Sequence, residues 1–441
     1  MNTMRNTLNA YTADRSGNFA VVMAAVLSVV MLASGFALNV GQVVMTKSNL
    51  HNALDAAITS TARDITTGRI KEKDARGTVE AFLRANGGTG FASADRIELD
   101  SLVIDTAAST LNARASVAID MVFPLFGSSP VRNVSVESAA VYSDRKIEVA
   151  MMLDVTGSMA RTWNTDKIGD LRRAASNAVD TLLSLNGRAN PRVRVAIVPY
   201  ADAVNTGALA HTVHVEERFT EGEPPRLDAP RLVGHVGFDA CATERKGRYQ
   251  FSDASPYDAM VNRDIRLDYC PADPLRPLSS DGDSLKAAIG GLRADGYTAG
   301  HIGIQWSWYL LSPKWASVLP AAARPEPYAR GKVTKYAILM TDGEFNTAFA
   351  GVAEHERTRG GQPTRSRGYA ERLCDAMKDE GIEIFTVGFM LEEPGARAVM
   401  RDCASPDNSS VRHHFDTHSG SELNDAFQEI ALNIERLALT R

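Results

Sequence analysis

The pattern of apolar and polar residues divides the chain into an apolar stretch of membrane length, a short region of alternating residues and a long region of strands and helices. Residues 19–40 contain no charged side chain. As a helix they would be about 33 Å long, enough to cross the roughly 30 Å hydrocarbon core of a bilayer. A buried core helix or a cleaved signal peptide could give a similar pattern, but the apolar part of a signal peptide is usually only about 7–15 residues long. We therefore predict one transmembrane helix at residues 19–40.

The apolar periodicity continues beyond this stretch. Apolar residues recur at steps of three and four up to about residue 67, which predicts that the anchor runs into an amphipathic helix. A second helix is predicted at 75–85, before the stop signal Asn86-Gly87-Gly88. Apolar and polar residues then alternate in three segments, which predict a small antiparallel sheet. These segments are 96–104, 111–121 and 131–142.

From residue 144 onward, strand patterns alternate with helix patterns. The predicted strands are 147–153, 193–199, 333–340, 382–388 and 411–415, and the predicted helices are 166–185, 284–292, 299–311, 368–378, 396–401 and 421–438. This alternation predicts an α/β fold, a doubly wound parallel sheet with helices on both faces. Ligands of such folds bind beyond the carboxyl ends of the strands.

Two segments interrupt the alternation. Residues 201–281 contain many prolines and charged residues without a clear period, and residues 345–367 form a second excursion with several basic side chains. Loops of this length in compact domains are usually functional or disordered. We interpret 201–281 as an insertion, which is either a partner surface or a surface excursion without function.

Length and charge limit the function classes. A chain of 441 residues is expected to form two or three domains. Its net charge of −5 and the absence of a dense basic stripe argue against nucleic acid as the main partner. Arg5 and Arg15 precede the apolar stretch and Lys47 follows it. Because positive charge favours the cytoplasmic side, we expect residues 1–18 in the cytoplasm and residues 41–441 outside.

The four cysteines are consistent with export. Cys241 and Cys270 lie in the same loop-rich segment, while Cys374 and Cys403 flank one predicted strand. An even number in an exported region predicts two local disulfides, with Cys241–Cys270 and Cys374–Cys403 as the expected pairs. Four buried thiols are the alternative. The spacing matches no zinc motif.

Acidic and hydroxyl side chains follow two of the predicted strands and precede one helix. Asp154, Thr156 and Ser158 alternate after the first strand of the second region, Thr298 precedes the helix at 299–311, and Asp342 follows the strand at 333–340. Each group alone is typical of an N-capping loop or an ordinary turn. Together they offer hard oxygen ligands at one edge of a sheet, which is the donor type that Mg²⁺ prefers.

The order Asp, Thr, Ser, Thr and Asp resembles the metal-ion-dependent adhesion site of von Willebrand factor A domains, with Thr156 in place of a more usual Ser. The resemblance implies a von Willebrand factor A-type fold and a bound Mg²⁺, with Mn²⁺ or Ca²⁺ as alternatives. It implies that the hydroxyls of Thr156, Ser158 and Thr298 contact the metal. Asp154 and Asp342 would hold coordinating waters or bind directly, and one open position would accept a carboxylate from a protein partner.

Further segments resemble TadE/TadG-like proteins of the Flp (Tad) pilus assembly system. They are 14–20 (DRSGNFA), 151–159 (MMLDVTGSM), 303–308 (GIQWSW), 311–313 (LSP), 341–347 (TDGEFNT), 403–405 (CAS), 423–427 (LNDAF) and 430–431 (IA). The resemblance implies a single-pass inner-membrane protein with a pilin-like region at 41–143 and a periplasmic A domain at 144–441. Its partners would be pilus or envelope components. Relatives are cleaved before the apolar stretch, typically with Glu at the fifth position after the cut, where this chain has Val22. We therefore expect Gly17 not to be a processing site.

Two other functions fit parts of the pattern. An Asp after a strand with a distant Thr-Asp-Gly loosely resembles haloacid-dehalogenase-type phosphatases, in which Asp154 would be the nucleophile. The chain has Thr156 where those enzymes have a second Asp. The A domain could also be a scaffold with an empty metal site. We favour metal-dependent binding without catalysis and expect no small-molecule substrate, since no nucleotide-binding glycine motif is present.

Overall fold

The computed structural model describes residues 17–66, 69–86, 96–105, 109–123, 129–142, 145–184, 186, 191–217, 239–329, 332–352 and 362–440. These residues form two compact units, which divide near residue 142. Parts of the predicted stop signal at 86–88 and of the insertion at 201–281 lie outside the described residues.

The first unit consists of two helices and a three-stranded antiparallel sheet. Its helices are α1 (Gly17–Thr66) and α2 (Ala75–Asn86), and its strands, in the order β1-β2-β3, are β1 (Ile97–Asp105), β2 (Thr110–Asp120) and β3 (Val131–Val141). Leu50, Leu54 and Ile58 of α1 belong to the same buried cluster as Val79 of α2 and Leu111 of β2. The predicted amphipathic continuation of the apolar helix is therefore confirmed, and so is the antiparallel sheet.

Two polar side chains fix α1 to the sheet region. Asn39 donates to the backbone carbonyl of Phe123 at 2.6 Å and accepts from its backbone N–H at 3.1 Å. Gln42 makes the same type of pair, donating to the Asp120 carbonyl and accepting from the Val122 N–H. Both amides are buried, so their hydrogen bonds replace those to water and set the position of the helix along the sheet.

The second unit contains a six-stranded sheet in the order β10-β5-β4-β11-β12-β13. Its strands are β4 (Lys146–Asp154), β5 (Val193–Tyr200), β10 (Arg276–Ser279), β11 (Val333–Thr341), β12 (Glu383–Phe389) and β13 (His414–Thr417). Five strands are parallel, and β10 pairs antiparallel with β5 at the edge. The predicted doubly wound α/β fold is therefore confirmed, with one antiparallel edge strand added.

Helices cover both faces of this sheet. They are α3 (Lys167–Leu183), α5 (Gly282–Gly291), α6 (Gly300–Leu311), α7 (Pro363–Asp379), α8 (Pro394–Cys403) and α9 (Gly420–Thr440). Val149, Met151 and Leu153 of β4 pack with α3, α5 and α9, whereas Ala150 and Met152 pack with α6, α7 and α8. Because both faces are buried, the centre of this strand, residues 149–153, is a continuous apolar run instead of an alternating pattern.

The insertion has its own short elements. They are β6 (Val204–Asn205), α4 (Ala210–Val213), β7 (His214–Glu217), β8 (Cys241–Ala242) and β9 (Val261–Asp264). The prediction of an aperiodic insertion up to residue 281 was wrong at its end, because β10 belongs to the main sheet. Four residues that include Pro277 carry too little pattern to predict a strand. The predicted last strand at 411–415 is also displaced, since β13 begins at His414.

Both expected disulfides are present. Cys241 of β8 is bonded to Cys270, and Cys374 of α7 is bonded to Cys403 at the end of α8. The first bridge connects two parts of the insertion. The second joins the helices on either side of β12 in the sequence. The alternative of four free thiols was wrong.

Candidate metal centre

The site lies where three neighbouring parallel strands end. Asp154 is the last residue of β4 and pairs in register with Tyr200, the last residue of β5. On the other side β4 pairs with β11, which ends at Thr341, so that Asp342 follows at the same edge. The carboxyl ends of parallel strands meet at one edge of the sheet, and this topology brings the two predicted acids together although 188 positions separate them.

Asp154 is completely buried and accepts five hydrogen bonds. Its Oδ1 accepts from the backbone N–H and the hydroxyl of Thr156, at 2.9 and 2.6 Å. Its Oδ2 accepts from the hydroxyls of Tyr200 and Thr341, at 2.9 and 2.8 Å, and from the backbone N–H of Asp342 at 3.2 Å. Burial first, and the Asp154 charge second, raise the pKa of Tyr200 well above its usual range, so this phenol stays a donor.

The hydroxyls of Thr156 and Ser158 point to one place. Extended backbone at Thr156 is followed by a 3₁₀ turn, Gly157–Met159, whose buried Met159 fixes the loop to the core. The Thr156 Oγ1 and Ser158 Oγ lie 2.9 Å apart, and Ser158 also donates to Asp342 Oδ1. Thr156 is buried and Ser158 is exposed. The cluster is therefore open to solvent on the Ser158 side.

Thr298 reaches the same cluster from the loop before α6. Its backbone N–H donates to the Asn346 side chain at 3.1 Å, and its carbonyl accepts from the Asn346 N–H at 2.9 Å. A Cβ atom at Gly343 would lie 3.3 Å from Ser158 Oγ and 3.5 Å from Thr298 Oγ1, so both hydroxyls approach the same glycine. The structure thus brings all five predicted site residues together. Asn346, which joins the two loops, was missed by the sequence analysis.

Asp342 is the second buried carboxylate, and its ion pair was not predicted. Its Oδ2 accepts from Lys167 Nζ at 2.8 Å. Burial, and then the negative charge of Asp154, raise the pKa of Asp342 to about 6, although the hydrogen bonds from Lys167 and Ser158 lower it. Among the described residues, the two acids hydrogen-bond to a single basic side chain, that of Lys167.

The donor set fits a small divalent cation. Mg²⁺ binds oxygens at about 2.0–2.1 Å in an octahedron, so that neighbouring ligand oxygens lie about 2.9 Å apart. The Thr156 and Ser158 hydroxyls lie at this distance, which is also that of the hydrogen bond between them. Two carboxylates and three hydroxyls are hard ligands of the kind that Mg²⁺ and Mn²⁺ prefer. Among the described residues, Asp239, Cys241 and Cys270 form a second close group, but both sulfurs there are consumed in a disulfide.

The insertion holds the loop that follows Asp342. The buried Glu244 accepts from the backbone N–H groups of Phe349 and Ala350, at 2.7 and 2.5 Å. Burial alone would raise the pKa of Glu244, but His301 and these N–H donors lower it below its usual range. Arg266 donates to the Phe349 carbonyl at 2.8 Å. The insertion therefore holds in place the loop that follows Asp342, one of the candidate metal ligands.

Comparison with known proteins relates the beginning of the chain to pilus assembly. Residues 17–64 match a family model described as putative Flp pilus-assembly TadE/G-like. No curated protein is similar enough to be counted as a relative.

Solved structures with low similarity include three pilus proteins. The pilus adhesin SpaC from Lactobacillus rhamnosus GG has 12% sequence identity and a TM-score of 0.38, and the match covers 77% of this chain and 34% of that chain. The vWF domain of the type V pili tip protein Mfa5 from Porphyromonas gingivalis has 15% identity and a TM-score of 0.39, with coverage of 68% of this chain and 98% of that chain. The pilus adhesin RrgA from Streptococcus pneumoniae has 11% identity and a TM-score of 0.33, with coverage of 77% and 48%. This chain matches about a third of the length of SpaC. The match at residues 17–64 agrees with the resemblance to TadE/TadG-like Flp pilus-assembly proteins that the sequence indicated.

Proposed function

We propose that this protein is anchored in the inner membrane and binds a pilus or envelope component through a divalent cation, which assists assembly or anchoring of a Flp/Tad-type pilus. The observation that carries this proposal is the convergence of two buried carboxylates and three hydroxyls beyond the ends of β4 and β11. The family match at residues 17–64 supports the relation to a pilus.

The roles of the site residues follow from their contacts. Asp154 is enclosed by five donors, so it acts as a negative charge that orients Thr156 and attracts the cation. The hydroxyls of Thr156, Ser158 and Thr298 would hold the metal, with Asp342 as a direct or water-mediated partner. Mg²⁺ bound there would act as a Lewis acid and coordinate an oxygen of a carboxylate on the partner. The exposed Ser158 marks the side on which the partner would approach.

The loop between Ser158 and Lys167 adds a second contact surface. Ser158 and Lys167, at the two ends of this loop, hydrogen-bond to Asp342, so residues 160–166 project beside the candidate metal centre. A turn closed by the Thr162 N–H and the Thr165 carbonyl, at 2.8 Å, presents Trp163 with its side chain fully exposed. Tryptophan is enriched among residues that dominate binding energy at interfaces. We infer that the partner places an apolar surface next to its carboxylate.

The first helix supports membrane anchoring. One described helix, within Ala20–Thr66, is long and apolar enough to cross a membrane, and most of its apolar window is exposed. With residues 1–18 in the cytoplasm, the second unit lies in the periplasm, where two disulfides are stable.

The structure argues against a phosphatase. Both oxygens of Asp154 accept hydrogen bonds within the protein, and the side chain is inaccessible to solvent. A nucleophilic carboxylate needs a free oxygen facing the substrate. These contacts support a role of Asp154 as a positioning charge over a role as a nucleophile.

The proposal is tested by the double variant Asp154→Ala/Thr298→Ala in the full-length protein, solubilised in detergent. Calorimetric titration with MgCl₂ and MnCl₂ should show saturable binding that the double variant loses. Asp180→Ala, which removes an exposed acid of α3, is the control and should bind as the wild type does. In cells that depend on this gene for piliation, the double variant should assemble few pili. Normal piliation by the double variant would contradict the proposal and leave a scaffold role.

A further inference from the structure

Lys167 occupies an unusual place for a lysine. It is the first residue of α3, after the N-cap residue Asp166, whose carboxylate accepts from the Gly169 N–H at 3.1 Å. Only 17% of its side chain is exposed, and its Nζ lies 2.8 Å from an oxygen of Asp342, whose side chain is fully buried. A lysine at a helix N-terminus is disfavoured by the helix dipole and would ordinarily extend into solvent. Here its charge is instead directed at the candidate metal centre.

The ammonium group uses the oxygen of Asp342 that the hydroxyl cluster leaves free. Ser158 donates to Oδ1, and Lys167 donates to Oδ2. Among the described residues, Lys167 is the one basic side chain that hydrogen-bonds to either buried acid of the cluster. Without it, neither acid would hydrogen-bond to a basic side chain among the described residues, and two neighbouring carboxylates in a buried site repel each other strongly. Lys167 therefore compensates the negative charge that the metal would compensate.

A metal and this ammonium cannot both be accommodated without cost. A cation bound by the Ser158 hydroxyl and Asp342 would lie within a few ångströms of Nζ, and like charges at that distance in a partly buried site repel. The four-carbon stem of a lysine is flexible, and the partial exposure of Lys167 leaves a path for the ammonium to swing into solvent. Metal binding would then include displacement of Lys167 from Asp342.

We propose that Lys167 is a tethered cation that holds the metal-free centre in its folded geometry and competes with the divalent ion for Asp342. Its effect is to lower the metal affinity, so that the centre exchanges its ion instead of holding it permanently. This inference rests on the proposed function, because it concerns the same metal centre. It adds a residue that sets the affinity and that lies outside the predicted ligand set.

The test compares Lys167→Met with Lys167→Arg and with Lys286→Met in the full-length, detergent-solubilised protein. Met keeps the length and apolar stem of the side chain and removes the charge, while Arg keeps the charge. Lys286→Met is the matched control, since Lys286 pairs with Asp180 on the surface. The measurements are calorimetric titration with MgCl₂ and MnCl₂ and thermal unfolding in EDTA and in saturating MgCl₂.

Lys167→Met should bind Mg²⁺ at least roughly tenfold more tightly than the wild type, because one neighbouring positive charge is removed. It should unfold at a lower temperature than the wild type in EDTA, and this difference should disappear in saturating MgCl₂. Lys167→Arg and Lys286→Met should stay close to the wild type in affinity. The unfolding measurement in EDTA also shows directly that the variant is folded.

The outcomes separate this inference from the proposed function. If the wild type and Lys167→Met bind Mg²⁺ with equal affinity, the proposed role of Lys167 is contradicted but the proposed metal site is not. Weaker binding by Lys167→Met overturns it as well, since Lys167 would then assist the metal. Binding by Lys167→Met alone supports the tethered cation and contradicts metal-dependent function in the wild type. Absence of binding in both proteins overturns both proposals.

Discussion

Replacement of Asp154 by Asn tests the hydrogen-bond geometry of the site most directly. The two side chains have the same shape, but Asn has one acceptor oxygen and an NH₂ group in place of two acceptors. In the wild type one carboxylate oxygen faces the backbone N–H of Thr156 and the other faces that of Asp342. Hydroxyl donors such as Tyr200 can rotate, but a backbone N–H cannot. Either orientation of the introduced amide therefore leaves one buried N–H opposite another donor.

The expected loss of stability follows from this one unpaired N–H group. One buried unpaired N–H costs about 1–3 kcal/mol. Part of the loss is offset, because removal of the Asp154 charge relieves its repulsion of Asp342. Burial, which is the larger cause of the raised Asp342 pKa, remains after the substitution. We therefore expect a net destabilisation of about 1–2 kcal/mol in the absence of metal. Metal binding should fall at least roughly tenfold, because a full negative charge has been removed next to the cation.

Urea unfolding in EDTA, followed by tryptophan fluorescence, measures this loss. All four tryptophans lie between residues 163 and 315, so the signal reports on the second unit alone. Asp180→Asn is the matched control, because it makes the same chemical change at an exposed acid that pairs with Lys286. A wild-type unfolding midpoint for Asp154→Asn, together with unchanged Mg²⁺ affinity, would refute the assigned hydrogen-bond geometry and the role of Asp154 in attracting the cation.

Three further predictions concern the surroundings of the centre. Trp163→Ala should leave Mg²⁺ affinity unchanged but weaken Mg²⁺-dependent retention of assembled pili at the cell envelope, and an unchanged retention would remove Trp163 from the partner surface. Glu244→Ala should destabilise the second unit by about 2–4 kcal/mol in urea unfolding, because two buried N–H groups lose their acceptor. Glu244→Gln keeps an acceptor oxygen and should therefore be destabilised much less. Equal destabilisation by the two variants would contradict this role of Glu244. Gly343→Ala places a methyl group against the Ser158 and Thr298 hydroxyls and should weaken Mg²⁺ binding severalfold in calorimetry, with Gly368→Ala, where a Cβ meets no atom, as the unaffected control.

The sequence predicted the elements whose pattern is set by burial on both sides. Residues 149–153 of β4 form a continuous apolar run because both faces of the strand are covered, and this run predicted the strand. The edge strand β10 pairs with a single neighbour over four residues, and its pattern was indistinguishable from a loop. Sequence patterns therefore located the central strands better than the edge of the sheet.

The sequence likewise predicted only part of the candidate metal centre. Asp154 and Asp342 were predicted because parallel strands place their carboxyl ends at one edge. Lys167 and Asn346 were not, because their contacts depend on how loops close in three dimensions. A lysine at the start of a helix is ordinarily a surface residue, and its reach to Asp342 follows only from the closed loop at 159–166. Tertiary contacts of this kind have no signature in a single sequence.

The continuity of α1 has a mechanical consequence. The helix runs for 50 residues, about 75 Å, from the apolar stretch into the core of the first unit without a break. Asn39 and Gln42 attach it to the sheet region close to the end of the apolar stretch. The described helix has no break between the apolar stretch and the folded unit. Where this stretch crosses a bilayer, as we propose, tilting or rotating it would turn the sheet with it, and a pull on the folded unit would reach the membrane along one continuous helix.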